Sequence, residues 1–154
     1  MTPAVEAARR AGVAFEIAEY EHDPVAESYG LEAAEALGVP GAQVFKTLVV
    51  EVDGRLAVGL VPVVMSLDLK AIAAALGGRK AAMADGAAAQ RATGYVLGGI
   101  SPLGQKRRLP TVVDESASAL DRMYVSAGRR GVEIVLAPRD LLALSRGTFA
   151  PIAR

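Results

Sequence analysis

Cysteine does not occur anywhere in the 154 residues. Its absence excludes disulfide bonds, thiolate zinc sites and a cysteine nucleophile. Histidine occurs once, as His22, so a metal site built from several histidines is excluded as well. Because His22 stands in a turn beside Asp23 and Pro24, it is more typical of a surface hydrogen-bonding residue than of a general base. We therefore expect no metal ion and no cofactor.

Long apolar runs are also missing, since no stretch approaches the roughly 18 residues that a membrane-spanning helix needs. The first ten residues carry Glu6 among alanines and do not resemble a secretory signal. These features predict a cytoplasmic protein, and the length predicts one domain over residues 1–154. The formal net charge is zero, so a nucleic acid must be bound by a local basic patch.

The alternation of apolar and turn residues predicts helices and strands mixed along the chain. The clearest unit is a hairpin of residues 43–52 and 55–61, joined by Asp53 and Gly54, a pair that favours a two-residue turn. Helices are predicted at 3–11, 31–37, 67–76 with Ser66 as cap, 86–92, around 116–121 and at 138–144. Further strands are predicted at 13–18, 95–97, 110–114, 123–126 and 132–136.

These spacings are too short for repeated parallel βαβ units, each of which needs roughly 30 residues or more. We therefore predict an α+β fold. Its mixed, mostly antiparallel sheet is expected to curl into a barrel-like core with helices packed outside.

Lys46 is a charged residue on an otherwise apolar strand face. Because side chains alternate along a strand, it shares that face with Val44, Leu48, Val50 and Val52. In one interpretation the lysine lies near the strand end or on an edge strand and extends its ammonium group to water. In the other, the ammonium group lies in a cleft, where it binds an anionic group or stabilises transition-state charge. Both interpretations are open at this point.

A glycine-dense turn over residues 98–104 leads into positive charge. It is either a simple tight turn, or a segment that places backbone N–H groups next to an anion or a developing oxyanion. Lys106 begins a basic run of three residues after it, and Arg130 belongs to a second basic pair between glycines. Such runs are usually solvated surface, but two of them beside glycine turns also suit contacts to phosphate groups.

Blocks of sequence recur in a characteristic order along nearly the whole chain. They are Thr-Pro-Ala-Val at 2–5, Tyr-Glu-His-Asp-Pro at 20–24, Val-Phe-Lys-Thr-Leu at 44–48, the segment 93–106, Leu-Pro-Thr at 109–111, and Tyr-Val-Ser at 124–126 with Arg130 and Gly131. In this combination the chain resembles the YbaK family of Cys-tRNA(Pro) deacylases. The resemblance implies a freestanding editing domain, related to an insertion domain of bacterial prolyl-tRNA synthetases, in which a mixed sheet forms a barrel.

The resemblance also assigns site residues. The lysine that the family requires matches Lys46. The segment that lines the family's pocket, with main-chain amides facing the aminoacyl ester, matches Gly98, Gly99, Ile100 and Ser101. Positions around the same pocket match Tyr20, Tyr29, Thr47 and Ser126. We expect Lys106 and Arg130 to contact the tRNA. Tyr29 stands where a phenylalanine is common in the family, and Ala127 where a second glycine is common.

The implied activity is the removal of cysteine wrongly attached to proline tRNA. The cysteine thiol would attack its own ester carbonyl and leave as a cyclic thiolactone, so the enzyme needs no nucleophile. The implied partners are the acceptor end of tRNA(Pro) and, in a transient complex, prolyl-tRNA synthetase. Two alternatives stay open: a related deacylase that acts on Ala-tRNA or another mischarged tRNA, and a non-catalytic module that binds the tRNA end or the synthetase.

Overall fold

The computed structural model describes residues 2–25 and 28–154. Its α-helices are α1 (Pro3–Ala11), α2 (Tyr29–Leu37), α3 (Leu69–Ala75), α4 (Gly86–Thr93) and α5 (Pro138–Ser145). The helix predicted around 116–121 is instead a short 3₁₀ turn at Glu115–Ala119. None of the helices described is long and apolar enough to cross a membrane.

The strands form two sheets. In chain order they are β1 (Phe15–Glu19), β2 (Phe45–Val52), β3 (Arg55–Pro62), β4 (Ala81–Met83), β5 (Thr111–Asp114), β6 (Met123–Arg129), β7 (Val132–Leu136) and β8 (Thr148–Ala150). The smaller sheet has the order β1-β7-β6 and is antiparallel. The larger has the order β4-β2-β3-β5-β8, in which β3, β5 and β8 run parallel to one another.

The mixed α+β class is right, but the predicted barrel-like core is wrong. A barrel requires the terminal strands of a sheet to pair with each other. Within the described residues neither sheet closes in this way, and the two are linked by an isolated parallel bridge between Val44 and Tyr124. The sequence could not reveal this, because periodicity indicates which side chains are buried and not which strand lies next to which.

Most predicted elements have a counterpart in the structure. The β2–β3 hairpin is confirmed in register. The third helix begins later than predicted, because Asp68 rather than Ser66 accepts the capping hydrogen bond. The strand predicted at 95–97 is wrong: this segment is a loop in which the Tyr95 hydroxyl donates to the Leu103 carbonyl at 2.6 Å. The strands β4 and β8 were not predicted, since three residues are too few to show a period.

The packing around β2 positions the site. Phe45 and Val49 on one face of β2 belong to the main core, together with Met123, Val125 and Ile134 of the smaller sheet. The strand β4 pairs only with the last three residues of β2, Val50 to Val52. The edge of β2 before that point therefore faces the smaller sheet across a gap, and α2 packs over one side of this gap.

Candidate active site

A cavity of about 290 Å³ lies where the first half of β2, the start of α2, the turn after α4 and the β6–β7 hairpin meet. Many of the predicted site residues line it: Tyr20, Tyr29, Lys46, Thr47, Gly98, Ile100, Ser126 and Arg130. Gly99, Ser101 and Lys106 are also described by the structure but lie outside this lining. The fold thus brings most of the predicted residues, which are far apart in the sequence, to one place.

Lys46 lines the cavity and is partly buried. Burial lowers the pKa of its ammonium group. Throughout residues 2–25 and 28–154, no hydrogen bond or ion pair involves this ammonium group. A partly buried cation without an internal partner favours an anionic or polar ligand group. Of the two interpretations that the sequence allowed, this position corresponds to an ammonium group in a cleft.

The hydroxyl of Thr47 is buried and has no hydrogen-bond partner among the described residues. Consecutive strand residues point to opposite faces, so Lys46 and Thr47 both line the cavity because it lies at the edge of β2. A buried hydroxyl is normally hydrogen-bonded, and leaving it unpaired costs free energy. A bound ligand would supply the missing partner.

The turn at residues 98–100 packs directly on the β6–β7 hairpin. Gly98 has a positive φ of 87°, and a Cβ there would lie 2.7 Å from the Arg130 side chain and 2.8 Å from that of Tyr29. A Cβ at Gly99 would lie 2.9 Å from the Cα of Arg129. Both positions therefore require glycine, the first for conformation and contact and the second for close approach of two backbones.

The amides of this turn differ in what they bind. The N–H of Gly99 donates to the Val96 carbonyl at 3.0 Å and is therefore engaged. The N–H groups of Gly98 and Ile100 have no acceptor in the part of the chain that the structure describes. Since Gly98 and Ile100 also line the cavity, their amides are available for a carbonyl oxygen or an anion.

Ser101 and Lys106 support or border the turn from outside the cavity. The hydroxyl of Ser101, which is fully buried, accepts the N–H of Leu103 at 3.2 Å. Its carbonyl accepts the side-chain amide of Gln105 at 2.9 Å. Lys106 is exposed, and its backbone N–H donates to the Thr93 carbonyl at 2.9 Å. Ser101 therefore shapes the turn, and the Lys106 side chain is accessible to a partner outside the cavity.

His22, Glu32 and Arg130 form a chain of polar contacts beside the cavity. The Nδ1 atom of His22 lies 2.8 Å from Oε1 of Glu32, and its Nε2 atom lies 3.1 Å from Nη1 of Arg130. An arginine side chain can only donate hydrogen bonds, so Nε2 of His22 is the acceptor. Nδ1 therefore carries the ring proton and donates a hydrogen bond to the Glu32 carboxylate. This hydrogen bond lowers the pKa of Glu32. His22 therefore links α2 to the β6–β7 hairpin.

Tyr20 and Ser126 complete the predicted lining. The backbone N–H of Tyr20 donates to the Gly131 carbonyl at 3.0 Å, and burial raises the pKa of its hydroxyl. The hydroxyl of Ser126 accepts the N–H of Gly128 at 3.1 Å, within the β6–β7 hairpin. Both residues are therefore held in place by the backbone of this hairpin.

Glu133 also lines the cavity, although it was not among the residues predicted from the sequence. It lies on β7 opposite Ser126 of β6 and is 6% exposed. Burial raises the pKa of its carboxyl group to about 8. The sequence does contain a signal for this residue, because Glu133 is the one charged residue in the apolar strand Val-Glu-Ile-Val-Leu. The same pattern had marked Lys46 on β2.

Comparisons with known proteins bear on the family of the chain. A family model described as an aminoacyl-tRNA editing domain matches residues 22–144. A protein of Enterococcus faecalis strain V583, named "Putative Cys-tRNA(Pro)/Cys-tRNA(Cys) deacylase EbsC", is 41% identical over 121 residues, which cover 77% of this chain and 73% of that protein.

Solved structures show the same fold. The crystal structure of "a putative trans-editing enzyme for prolyl tRNA synthetase" has a TM-score of 0.86 and 25% identity, and covers 99% of this chain and 95% of that one. The hypothetical protein APE2540 has a TM-score of 0.87 and 22% identity, with 99% of both chains covered. The family match includes Lys46, Thr47, the glycine turn and the β6–β7 hairpin. The chain therefore belongs to the family of aminoacyl-tRNA editing domains, as its resemblance to YbaK-type sequences predicted.

Proposed function

We propose that this protein is a trans-editing aminoacyl-tRNA deacylase that removes cysteine from mischarged Cys-tRNA(Pro). Family membership supports cleavage of an aminoacyl-tRNA ester, and the name of the Enterococcus faecalis relative points to Cys-tRNA(Pro) or Cys-tRNA(Cys) as substrate. The observation that carries the proposal is the meeting of unsatisfied polar groups in one cavity, namely the Lys46 ammonium, the Thr47 hydroxyl and the amides of Gly98 and Ile100.

These groups suit the aminoacylated end of a tRNA. Lys46 would hold the phosphate or ribose of the terminal adenosine, and the amides of Gly98 and Ile100 would hold the ester carbonyl oxygen as charge develops on it. Thr47 would donate to or accept from the ribose or the ester. The N–H groups of the turn and the Thr47 hydroxyl need little reorganisation when the substrate binds, because the surrounding turn and strand already fix them.

The reaction in this proposal uses the substrate's own thiol. Its sulfur attacks the ester carbonyl carbon, the bond to the ribose oxygen breaks, that oxygen takes up the thiol proton, and cysteine leaves as a cyclic thiolactone. The chain has no cysteine, and His22 is engaged by Glu32 and Arg130 outside the cavity lining. Serine and alanine lack a comparable internal nucleophile, so chemistry more than binding would reject them.

The remaining expectations form part of the same proposal. Residues 1–154 would act as one editing domain in the cytoplasm, without a cofactor. The protein would bind the acceptor end of tRNA(Pro), with Lys106 and Arg130 near phosphates, and select its tRNA through a transient complex with prolyl-tRNA synthetase. The solved trans-editing structure supports the choice of this synthetase. A pull-down with tRNA present should detect the complex, and no association at micromolar concentrations would contradict it.

The test of the activity is loss of the ester over time. The purified protein is incubated with cysteinyl-, alanyl- and prolyl-tRNA(Pro), alongside Lys46→Ala and, as a matched control, Lys70→Ala at an exposed position on α3. We expect loss of cysteine alone, released as the thiolactone, abolished by Lys46→Ala and unchanged in Lys70→Ala. Loss of alanine instead would indicate a related deacylase, and intact esters with tight tRNA binding would indicate a binding module.

A further inference from the structure

Glu133 brings a carboxyl group from β7 to the wall of the cavity. It is the second residue of β7, paired with Ala18 of β1 and Ser126 of β6, so its side chain leaves the sheet on the same face as theirs. It is 6% exposed and lines the cavity. Over residues 2–25 and 28–154, its carboxyl group forms no hydrogen bond or ion pair.

Such a group is unusual, because buried carboxylates are normally paired or hydrogen-bonded to offset the loss of hydration. Burial raises the pKa of Glu133 to about 8, so the group is mostly protonated at neutral pH in the free protein. A positive charge placed beside it would restore the ionised form. The group is therefore suited to a ligand that carries a cation.

Several elements around the cavity contribute titratable or charged residues to the lining that Glu133 shares. These residues are Tyr20 after β1, Tyr29 of α2, Lys46 of β2, and Arg129 and Arg130 of the β6–β7 hairpin. In the described part of the chain none of these cations pairs with Glu133, and Arg130 is directed instead to His22 and Tyr29. The Glu133 carboxyl group and the cationic side chains thus line the same cavity without forming ion pairs. This arrangement suits a ligand whose negative and positive groups are also separated.

We propose that Glu133 binds the α-ammonium group of the aminoacyl ester and so makes a free amino group a requirement for the substrate. The inference rests on the proposed function only in taking an aminoacyl ester as ligand, and it does not depend on the thiolactone route. The aminoacylated end of a tRNA carries anionic phosphates and one ammonium group. Lys46 and Arg130 suit the phosphates, and Glu133 suits the ammonium group.

Two consequences follow from this pairing. N-acylated esters, such as N-acetylcysteinyl-tRNA or peptidyl-tRNA, carry no ammonium group and would leave Glu133 buried and unpaired, so the site should disfavour them. Binding of the ammonium group should also release a proton near neutral pH, because Glu133 must ionise to pair with it.

Calorimetry with two stable analogues tests the proposal without any turnover. One analogue is adenosine 5′-monophosphate with cysteine attached at the 3′ position through an amide. The other carries 3-mercaptopropionate in place of cysteine, and so lacks only the amino group. We expect the wild type to prefer the first by at least about tenfold. We also expect it to release a proton at pH 7, seen as a heat that depends on the ionisation enthalpy of the buffer.

The variants separate this pairing from a general effect on the cavity. Glu133→Gln keeps the shape and should bind both analogues equally, with no proton release, whereas Glu133→Asp should keep part of the preference. Glu35→Gln, at an exposed glutamate on α2, should match the wild type. A wild type that does not prefer the amino analogue, or that binds neither, would overturn the proposal. A preference that persists in Glu133→Gln would overturn it as well.

The binding role of Glu133 and the deacylase function can be disproved separately. If no aminoacyl-tRNA is cleaved at all, the analogue preference still shows whether Glu133 binds the amino group. If N-acetylcysteinyl-tRNA(Pro) is cleaved as fast as cysteinyl-tRNA(Pro), the role of Glu133 is overturned while the deacylase function stands.

Discussion

The guanidinium carbon of Arg130 lies 3.5 Å from the centroid of the Tyr29 ring. This contact joins the β6–β7 hairpin to the first residue of α2, and Gly98 packs against both side chains. A guanidinium group is attracted to the negative face of an aromatic ring. The orientation of Arg130 beside the cavity is therefore set by the Tyr29 ring and by the His22 imidazole.

Replacing the Tyr29 ring should disturb the site more than removing its hydroxyl. Tyr29→Leu loses the attraction to Arg130, and we expect kcat/KM for Cys-tRNA(Pro) to fall about three- to thirtyfold. Tyr29→Phe keeps the ring and should stay within about twofold of the wild type. Steady-state kinetics on both variants measure this. Equal losses in the two would show that the hydroxyl, and not the ring contact, matters.

The ammonium group of Lys46 should lose its charge at a lower pH than an ordinary lysine. Burial lowers its pKa, so the charged form, which the ligand phosphate or ribose requires, is lost earlier as the pH rises. The affinity for the 3-mercaptopropionate analogue, which has no amino group to titrate, should therefore decline more in the wild type than in Lys46→Arg as the pH rises toward 10.5, the ordinary value. Lys46→Arg keeps its charge over this range, so the ratio of the two affinities cancels the titration of the thiol and of Glu133. Calorimetry from pH 7 to 10 checks both.

Glu133 should make the folded protein less stable as the pH rises. Its pKa is raised from 4.5 to about 8, so between these values the folded state holds a proton that the unfolded state has lost. The stability present below pH 4.5 is therefore lost as the pH rises through about 8. At about 1.4 kcal/mol per pKa unit, the loss is no more than roughly 5 kcal/mol.

Urea unfolding at pH 5 and pH 8.5 measures this effect. The free energy of unfolding of Glu133→Gln should exceed that of the wild type by more at the higher pH, because glutamine cannot ionise. The exposed control Glu35→Gln should follow the wild type at both values. A constant difference between Glu133→Gln and the wild type would contradict the burial of an ionisable, unpaired group.

Gly99→Ala should destabilise the fold, because the new Cβ would lie 2.9 Å from the Cα of Arg129 and neither backbone can move freely. We expect a loss of about 1–3 kcal/mol in the free energy of unfolding. Gly86→Ala is a matched control, since its Cβ would meet only the end of the flexible Leu97 side chain, at 2.8 Å. Thermal unfolding of the two variants compares them, and similar losses would argue against a special requirement at Gly99.

Features that depend on neighbouring residues could be predicted from the sequence. The β2–β3 hairpin is one, because the turn chemistry of Asp53 and Gly54 and the flanking apolar runs act locally. The end of α1 at Gly12, with a left-handed φ of 72°, is another. Lys46 also stands out in the sequence itself, since a charge on an apolar strand face is a local anomaly.

Features that depend on distant residues could not be predicted in this way. The apolar sequence of β5 is compatible with pairing to several different strands. Its parallel pairing with β3 and β8 is therefore not specified by local sequence. The contact between His22 and Arg130 joins residues 108 positions apart. The sequence by itself thus determined the longer strands, the glycine turn and the lysine. Only the tertiary structure decided that two open sheets leave a gap at the edge of β2 and that Glu133 lines it, because strand pairing and burial depend on long-range contacts.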